Sequence, residues 1–120
     1  MRRKFFERPA LEIAENLLGK YLVRRIGKNN IAAIITEVEA YDGLDDKASH
    51  ASRGKTKRNE PMFGPAGRFY VYLIYGTHWM LNIVIGPKNY PAAILIRGGI
   101  VENGRRLVGP SRFTKFLKID

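Results

Sequence analysis

The stretch Ile31 to Tyr41 restricts the possible folds more than any other part of the chain. Ile31-Ala32-Ala33-Ile34-Ile35 is an unbroken apolar run, and a run of that length reads as a buried β-strand. It leads straight into Thr36-Glu37-Val38-Glu39-Ala40-Tyr41. Side chains of a strand alternate between faces. Thr36, Val38 and Ala40 are therefore expected on one face, and Glu37, Glu39 and Tyr41 on the other. Two carboxylates and a phenol leave the end of an apolar strand together. A solvated strand face accounts for them, and so does a site; the rest of the chain bears on the choice.

The neighbouring segments supply partners for this strand. Tyr21 to Ile26 reads as a strand, and Gly27-Lys28-Asn29-Asn30 as a turn, so the two strands form an antiparallel hairpin. A second hairpin is expected from Arg68 to Gly76, rich in aromatic and β-branched residues, and from Trp79 to Ile85. Its tip carries Tyr75, an aromatic where core packing gives little reason for one. Ala92 to Ile96 is an apolar strand that runs out at Arg97, followed by Gly98-Gly99. Pro9 to Leu18 reads as a short helix whose apolar stripe is Leu11, Ala14, Leu17 and Leu18, stopped by Gly19. Pro110 and Ser111 start a last helix that buries Phe113, Phe116 and Leu117. Between the hairpins, Asp42 to Arg68 is a long polar loop with a basic second half containing Arg53, Lys55, Lys57 and Arg58. Loops of that length are often functional, and this one suits backbone phosphates as well as a plain surface excursion. The pattern predicts an α+β fold: a single domain over 1–120, built on a curved, mostly antiparallel sheet with a protruding hairpin and a few short helices.

Composition narrows the function classes. A chain of 120 residues suits one domain, and 45% hydrophobic residues are enough for a core. No apolar run approaches the roughly 20 residues of a membrane span, and the N-terminus has no signal-peptide pattern. The chain contains no cysteine and only two histidines, His50 and His78. Disulfides, thiolate metal sites and a Cys nucleophile are excluded, and no metal site is expected. The formal net charge of +10 favours a polyanionic partner, nucleic acid first.

Taken together, the pieces suggest a reaction. A carboxylate near an arginine can hold and activate a water. Tyrosines can stack on a flat ring, a tip aromatic can wedge into a duplex, and a basic loop can hold its backbone. That combination suits an enzyme that flips a nucleotide out of DNA and acts on its base.

The local motifs then become recognisable. Thr36-Glu-Val-Glu-Ala-Tyr41, Ser49-His-Ala-Ser-Arg-Gly54, Arg58-Asn59, Met62-Phe-Gly-Pro65, Tyr70-Val-Tyr72 with Tyr75-Gly76, His78, Asn82 and Ile94-Leu-Ile-Arg97 fall in one order. In that order and at nearly that spacing, the chain resembles the alkyladenine (3-methyladenine) DNA glycosylase family from about Pro9 to Arg97. A weaker echo follows at Gly109-Pro110-Ser111. The resemblance implies that Glu39 is the general base for a water attacking the sugar, with Arg97 helping to hold that water. It implies a base pocket of Tyr41, His50, Tyr72 and Asn82, with Tyr75 filling the gap left in the duplex. The expected partner is double-stranded DNA containing alkylated or deaminated purines, and no cofactor is implied. A monomer is expected, in the cytoplasm or nucleus and not secreted.

The chain departs from the family pattern after Arg97, where members usually carry an insert and a C-terminal part. A short form lacking that part is expected here, as a natural minimal form, a designed one or a fragment. Two other readings remain at this point: a non-catalytic damaged-DNA-binding module, and a basic RNA-binding domain favoured by charge and size alone.

Overall fold

The computed structural model describes residues 3–42, 60–74, 76–87 and 89–119. Six antiparallel strands form one curled sheet. They are β1 (Tyr21–Ile26), β2 (Asn29–Asp42), β3 (Phe69–Ile74), β4 (His78–Val84), β5 (Ala92–Val101) and β6 (Arg106–Val108). The spatial order is β1-β2-β5-β4-β3, with β6 beside the second half of β5. Both expected hairpins form. In the first, Tyr21 pairs with Ile34 and Ile26 with Asn29, so the turn is Gly27-Lys28 alone. Gly27 takes φ of 59° there, a value that a two-residue hairpin turn requires and glycine adopts freely. In the second, Phe69 pairs with Ile83 and Ile74 with His78.

Two helices and two short 3-10 segments, Arg3–Glu7 and Glu60–Phe63, complete the described elements. Helix α1 (Ala10–Leu17) buries Ala10, Ile13 and Leu17, spaced as one helical face requires. The expected stripe is corrected in part: Leu11 is 76% exposed and Leu18 is 46% exposed. Leu11 lies about 100° round the helix from Ala10, and Leu18 has already left the helix. Helix α2 (Pro110–Leu117) buries Phe113, Thr114 and Leu117, while Phe116 is half-buried against the core. Pro110 sits in its first turn, where the missing N–H costs nothing.

Strand β5 does not run out at Arg97; it continues to Val101. Gly98 and Gly99 are the reason. A Cβ on Gly99 would lie 2.7 Å from Cε2 of Phe113 and 2.8 Å from the Ile34 carbonyl. One on Gly98 would lie 2.7 Å from the Leu107 carbonyl. The glycines let α2 and β6 press against the strand, so they extend the sheet where the sequence suggests a stop.

The main core lies under α1 and α2 and includes Ile13, Leu17, Ile94, Ile96, Phe113 and Leu117. A smaller cluster on the other face joins Met62, Phe63, Tyr70, Val84 and Ala93, with Tyr72 packed against it. Met62 and Phe63 belong to the 3-10 segment Glu60–Phe63, so the end of the segment read as a surface loop is buried. Among the described residues, no helix is long and apolar enough to cross a membrane.

Candidate active site

The site is built where β2 and β5 change phase together. Ile35 pairs with Gly99, Glu37 with Gly98 and Val38 with Ile96, so the register passes over Thr36 and Arg97. Such extra residues form β-bulges, which bend strands and re-aim side chains. Their effect is visible in the packing: Ala33 and Ile35 belong to the main core, and Val38 and Ala40 pack against it. Strict alternation would put Ala33, Ile35, Glu37, Glu39 and Tyr41 on one face. The bulge at Thr36 lets the core-facing positions change from odd to even numbers. Glu39 and Tyr41 therefore emerge opposite the main core, beside Leu95 and Ala93, their partners on β5.

The same face continues across the sheet. Leu95 pairs with Asn82, and Asn82 with Tyr70, so Glu39, Leu95, Asn82 and Tyr70 form a row across four strands. Tyr72 stands two residues beyond Tyr70 on the same face. Their rings are 5.3 Å apart between centroids and tilted by 42°, within the range of favourable aromatic pairs.

Arg97 Nη1 donates to Glu39 Oε2 at 3.0 Å. Both side chains are about two-fifths exposed, at 41% and 42%. An ion pair that open contributes only about 0–1 kcal/mol to stability, so its main consequence is orientation. The Tyr41 hydroxyl is hydrogen-bonded to Glu39 as well. A carboxylate has about four lone-pair positions, so two such bonds fix Glu39 and leave it able to accept a water. Burial pushes the Tyr41 phenol up to about 12, aided by the bond to Glu39, that carboxylate's charge and the nearby Tyr72; Arg97 pulls the other way. Tyr41 is thus a neutral donor across the physiological range.

The structure brings together Glu39, Arg97, Tyr41 and Tyr72. Asn82 lies on the same face but is 2% exposed, its Nδ2 donating to the Tyr70 carbonyl at 3.3 Å. It belongs to the floor of the site. His50, Tyr75, Arg53, Lys55, Lys57 and Arg58 lie outside the described residues. Sequence reasoning missed Tyr70 and Leu95 as parts of the site. Tyr70 was legible in principle, since it shares a strand face with Tyr72; Leu95 needs the register of β5 against β4. A separate cleft of about 420 Å³ between β1 and β3, lined by Leu22, Val23, Phe69 and Val71, holds none of these residues. Among the described residues, no group of His, Cys, Asp and Glu side chains could hold a metal ion.

The sequence profile of the methylpurine-DNA glycosylase family matches residues 4–120. The chain belongs to the methylpurine-DNA glycosylase family. A relative in Frankia casuarinae is 51% identical over 116 residues, covering 97% of this chain and 52% of that protein. One in Methanocella arvoryzae is 50% identical over 110 residues, covering 92% of this chain and 55% of that protein. A third, in Chlorobium phaeobacteroides, is 58% identical over 96 residues, covering 79% of this chain and 49% of that protein. Each is provisionally named a 3-methyladenine DNA glycosylase. The chain spans about half the length of these relatives. Membership of the methylpurine-DNA glycosylase family thus agrees with the resemblance read from the ordered motifs.

Proposed function

We propose that this chain excises damaged purines from duplex DNA by hydrolysing the N-glycosidic bond. The observation that carries the reading is the Glu39 carboxylate, held by Arg97 and Tyr41 on the face of the sheet opposite the main core. Family membership supports it.

In this reading the damaged nucleotide leaves the duplex and its base enters between Tyr41 and Tyr72. Tyr75 fills the space left behind, and the basic residues Arg53, Lys55, Lys57 and Arg58 hold the backbone. Unstacking a damaged base costs least, which is one source of selectivity. Alkylation at N3 or N7 puts positive charge on the purine and weakens its bond to the sugar. An electron-poor ring also gains from stacking on phenols. Glu39 accepts a proton from water as the water oxygen bonds to the sugar carbon. The glycosidic bond of an alkylated purine breaks with its electron pair going to the cationic ring, which leaves neutral. The same carboxylate stabilises the positive charge that develops on the sugar. Arg97 keeps the carboxylate aimed, and Asn82 bounds the pocket floor.

The test is affinity for a charged mimic of the sugar. Duplexes carry either a cationic pyrrolidine or a neutral tetrahydrofuran at the abasic position. Wild type should prefer the cationic duplex, and Glu39→Gln should lose most of that preference, since it holds the geometry without the charge. An equal preference in both proteins would remove Glu39 from the chemistry. Tight binding with no preference in either would favour a non-catalytic damaged-DNA-binding module.

A further inference from the structure

A polar cleft of about 520 Å³ lies between the start of β4 and α2, with Glu39 outside its lining. His78, Trp79, Ser111, Thr114, Lys115 and Lys118 line it. Among the described residues no carboxylate lines it, in a chain whose formal net charge is +10. The cleft has a fixed frame. Thr114 is 2% exposed, and its O–H donates to the Trp79 carbonyl, 2.8 Å from Oγ1, with the Ser111 carbonyl at 3.0 Å. Helix α2 is thereby pinned to β4. His78 Nδ1 and Ser111 Oγ are 2.8 Å apart. If the hydroxyl donates to Nδ1, the imidazole keeps an N–H on Nε2. If Nδ1 donates, the hydroxyl proton is left over. Either tautomer leaves one donor for a further acceptor. Lys115 and Lys118, both exposed, add ammonium groups.

We propose that this cleft seats one backbone phosphodiester of the DNA strand that flanks the extruded nucleotide. The inference rests on the DNA reading above. Lysine and hydroxyl donors are the usual partners of backbone phosphates, which fix register without reading sequence. The location fits. His78 opens the strand that carries Asn82, four residues away and about 14 Å at a strand rise of ~3.4 Å. Phosphates of one strand recur about every 3.4 Å along the helix axis, so a seat at that separation corresponds to a phosphate a few nucleotides from the extruded one. The sequence echo at Gly109-Pro110-Ser111 gains a use here: it starts α2 and supplies the hydroxyl.

The test is the salt dependence of duplex affinity. Lys115→Ala/Lys118→Ala should flatten the plot of log affinity against log salt by about 0.9 for each phosphate no longer neutralised, equally for damaged and undamaged duplexes. Lys20→Ala/Lys28→Ala, which removes the same charge from exposed positions around β1, should leave the slope unchanged. An unchanged slope in the first variant, or an equal flattening in the second, overturns the seat while leaving the glycosylase reading intact. Failure of wild type to bind any duplex overturns both. The His78 ring resonances distinguish a phosphodiester from free phosphate. Duplex should move them, and inorganic phosphate at matched ionic strength should not; the reverse result would assign the cleft to the free anion.

Discussion

Arg97 reaches Glu39 at 3.0 Å from a position that the register between β2 and β5 passes over. The bulged arginine therefore orients the carboxylate without contributing to the regular ladder. Exposed ion pairs contribute about 0–1 kcal/mol, so Glu39→Gln should change unfolding free energy by less than about 1 kcal/mol. Urea denaturation of the two proteins measures this. Arg97→Lys should also stay folded while lowering excision, because an ammonium lacks the planar fork that holds a carboxylate in one orientation.

Tyr41 offers a spectroscopic reading of the site. Its phenol is pushed from 10.0 up to about 12. Among the chain's 6 tyrosines, Tyr41→Phe should remove amplitude from the late, most alkaline part of the ultraviolet titration. Glu39→Gln removes one source of the shift and should bring that late phase earlier. The sign for stability follows: a raised folded-state value favours the neutral form. Its contribution is complete below pH 10 and is lost as pH rises through about 12.

Gly99 is a packing requirement. An added methyl would sit 2.7 Å from Phe113 and 2.8 Å from the Ile34 carbonyl, and the carbonyl cannot swing aside. Gly99→Ala should destabilise the protein by about 1–3 kcal/mol through overpacking. A midpoint equal to wild type in chemical denaturation would mean that β2 and α2 are less tightly held than these distances imply.

Asn82 is a buried amide whose donor serves the Tyr70 carbonyl. Asn82→Asp removes the donor and buries a carboxyl group. Desolvation should raise that carboxyl above its ordinary value of about 3.9. The variant should therefore be least destabilised in acid and lose stability as pH rises from about 3.9, the unfolded-state value, through the folded-state one. Denaturant midpoints at about pH 4 and about pH 7, each compared with wild type, give the answer.

Much of the fold was legible because the strands announce themselves. The Ile31–Tyr41 run, the aromatic Phe69–Ile74 segment and the Ala92–Ile96 segment all carry β-branched or apolar side chains in strand-length blocks. What escaped local reading depends on contacts distant in the chain. Gly98-Gly99 looks like an ending until Phe113 and the Leu107 carbonyl are placed against it. Leu11 and Leu18 look like a helix stripe until the core selects Ala10, Ile13 and Leu17. Within the site, Glu39 and Tyr41 stand out through their shared strand face. The bulge that turns that face away from the main core is not legible locally, because it is a property of the β2–β5 pairing and not of either strand. His78 and Ser111 meet across 33 positions, a separation no local pattern spans.

The central claim is that Glu39 activates the water that releases a damaged purine. Single-turnover release of hypoxanthine and 7-methylguanine from a duplex, wild type beside Glu39→Gln, tests it most directly. General-base catalysis predicts release by wild type and a fall of at least about 100-fold in the variant, with duplex affinity retained. Equal release rates in the two proteins, or binding of the damaged duplex with no release by wild type, would contradict it.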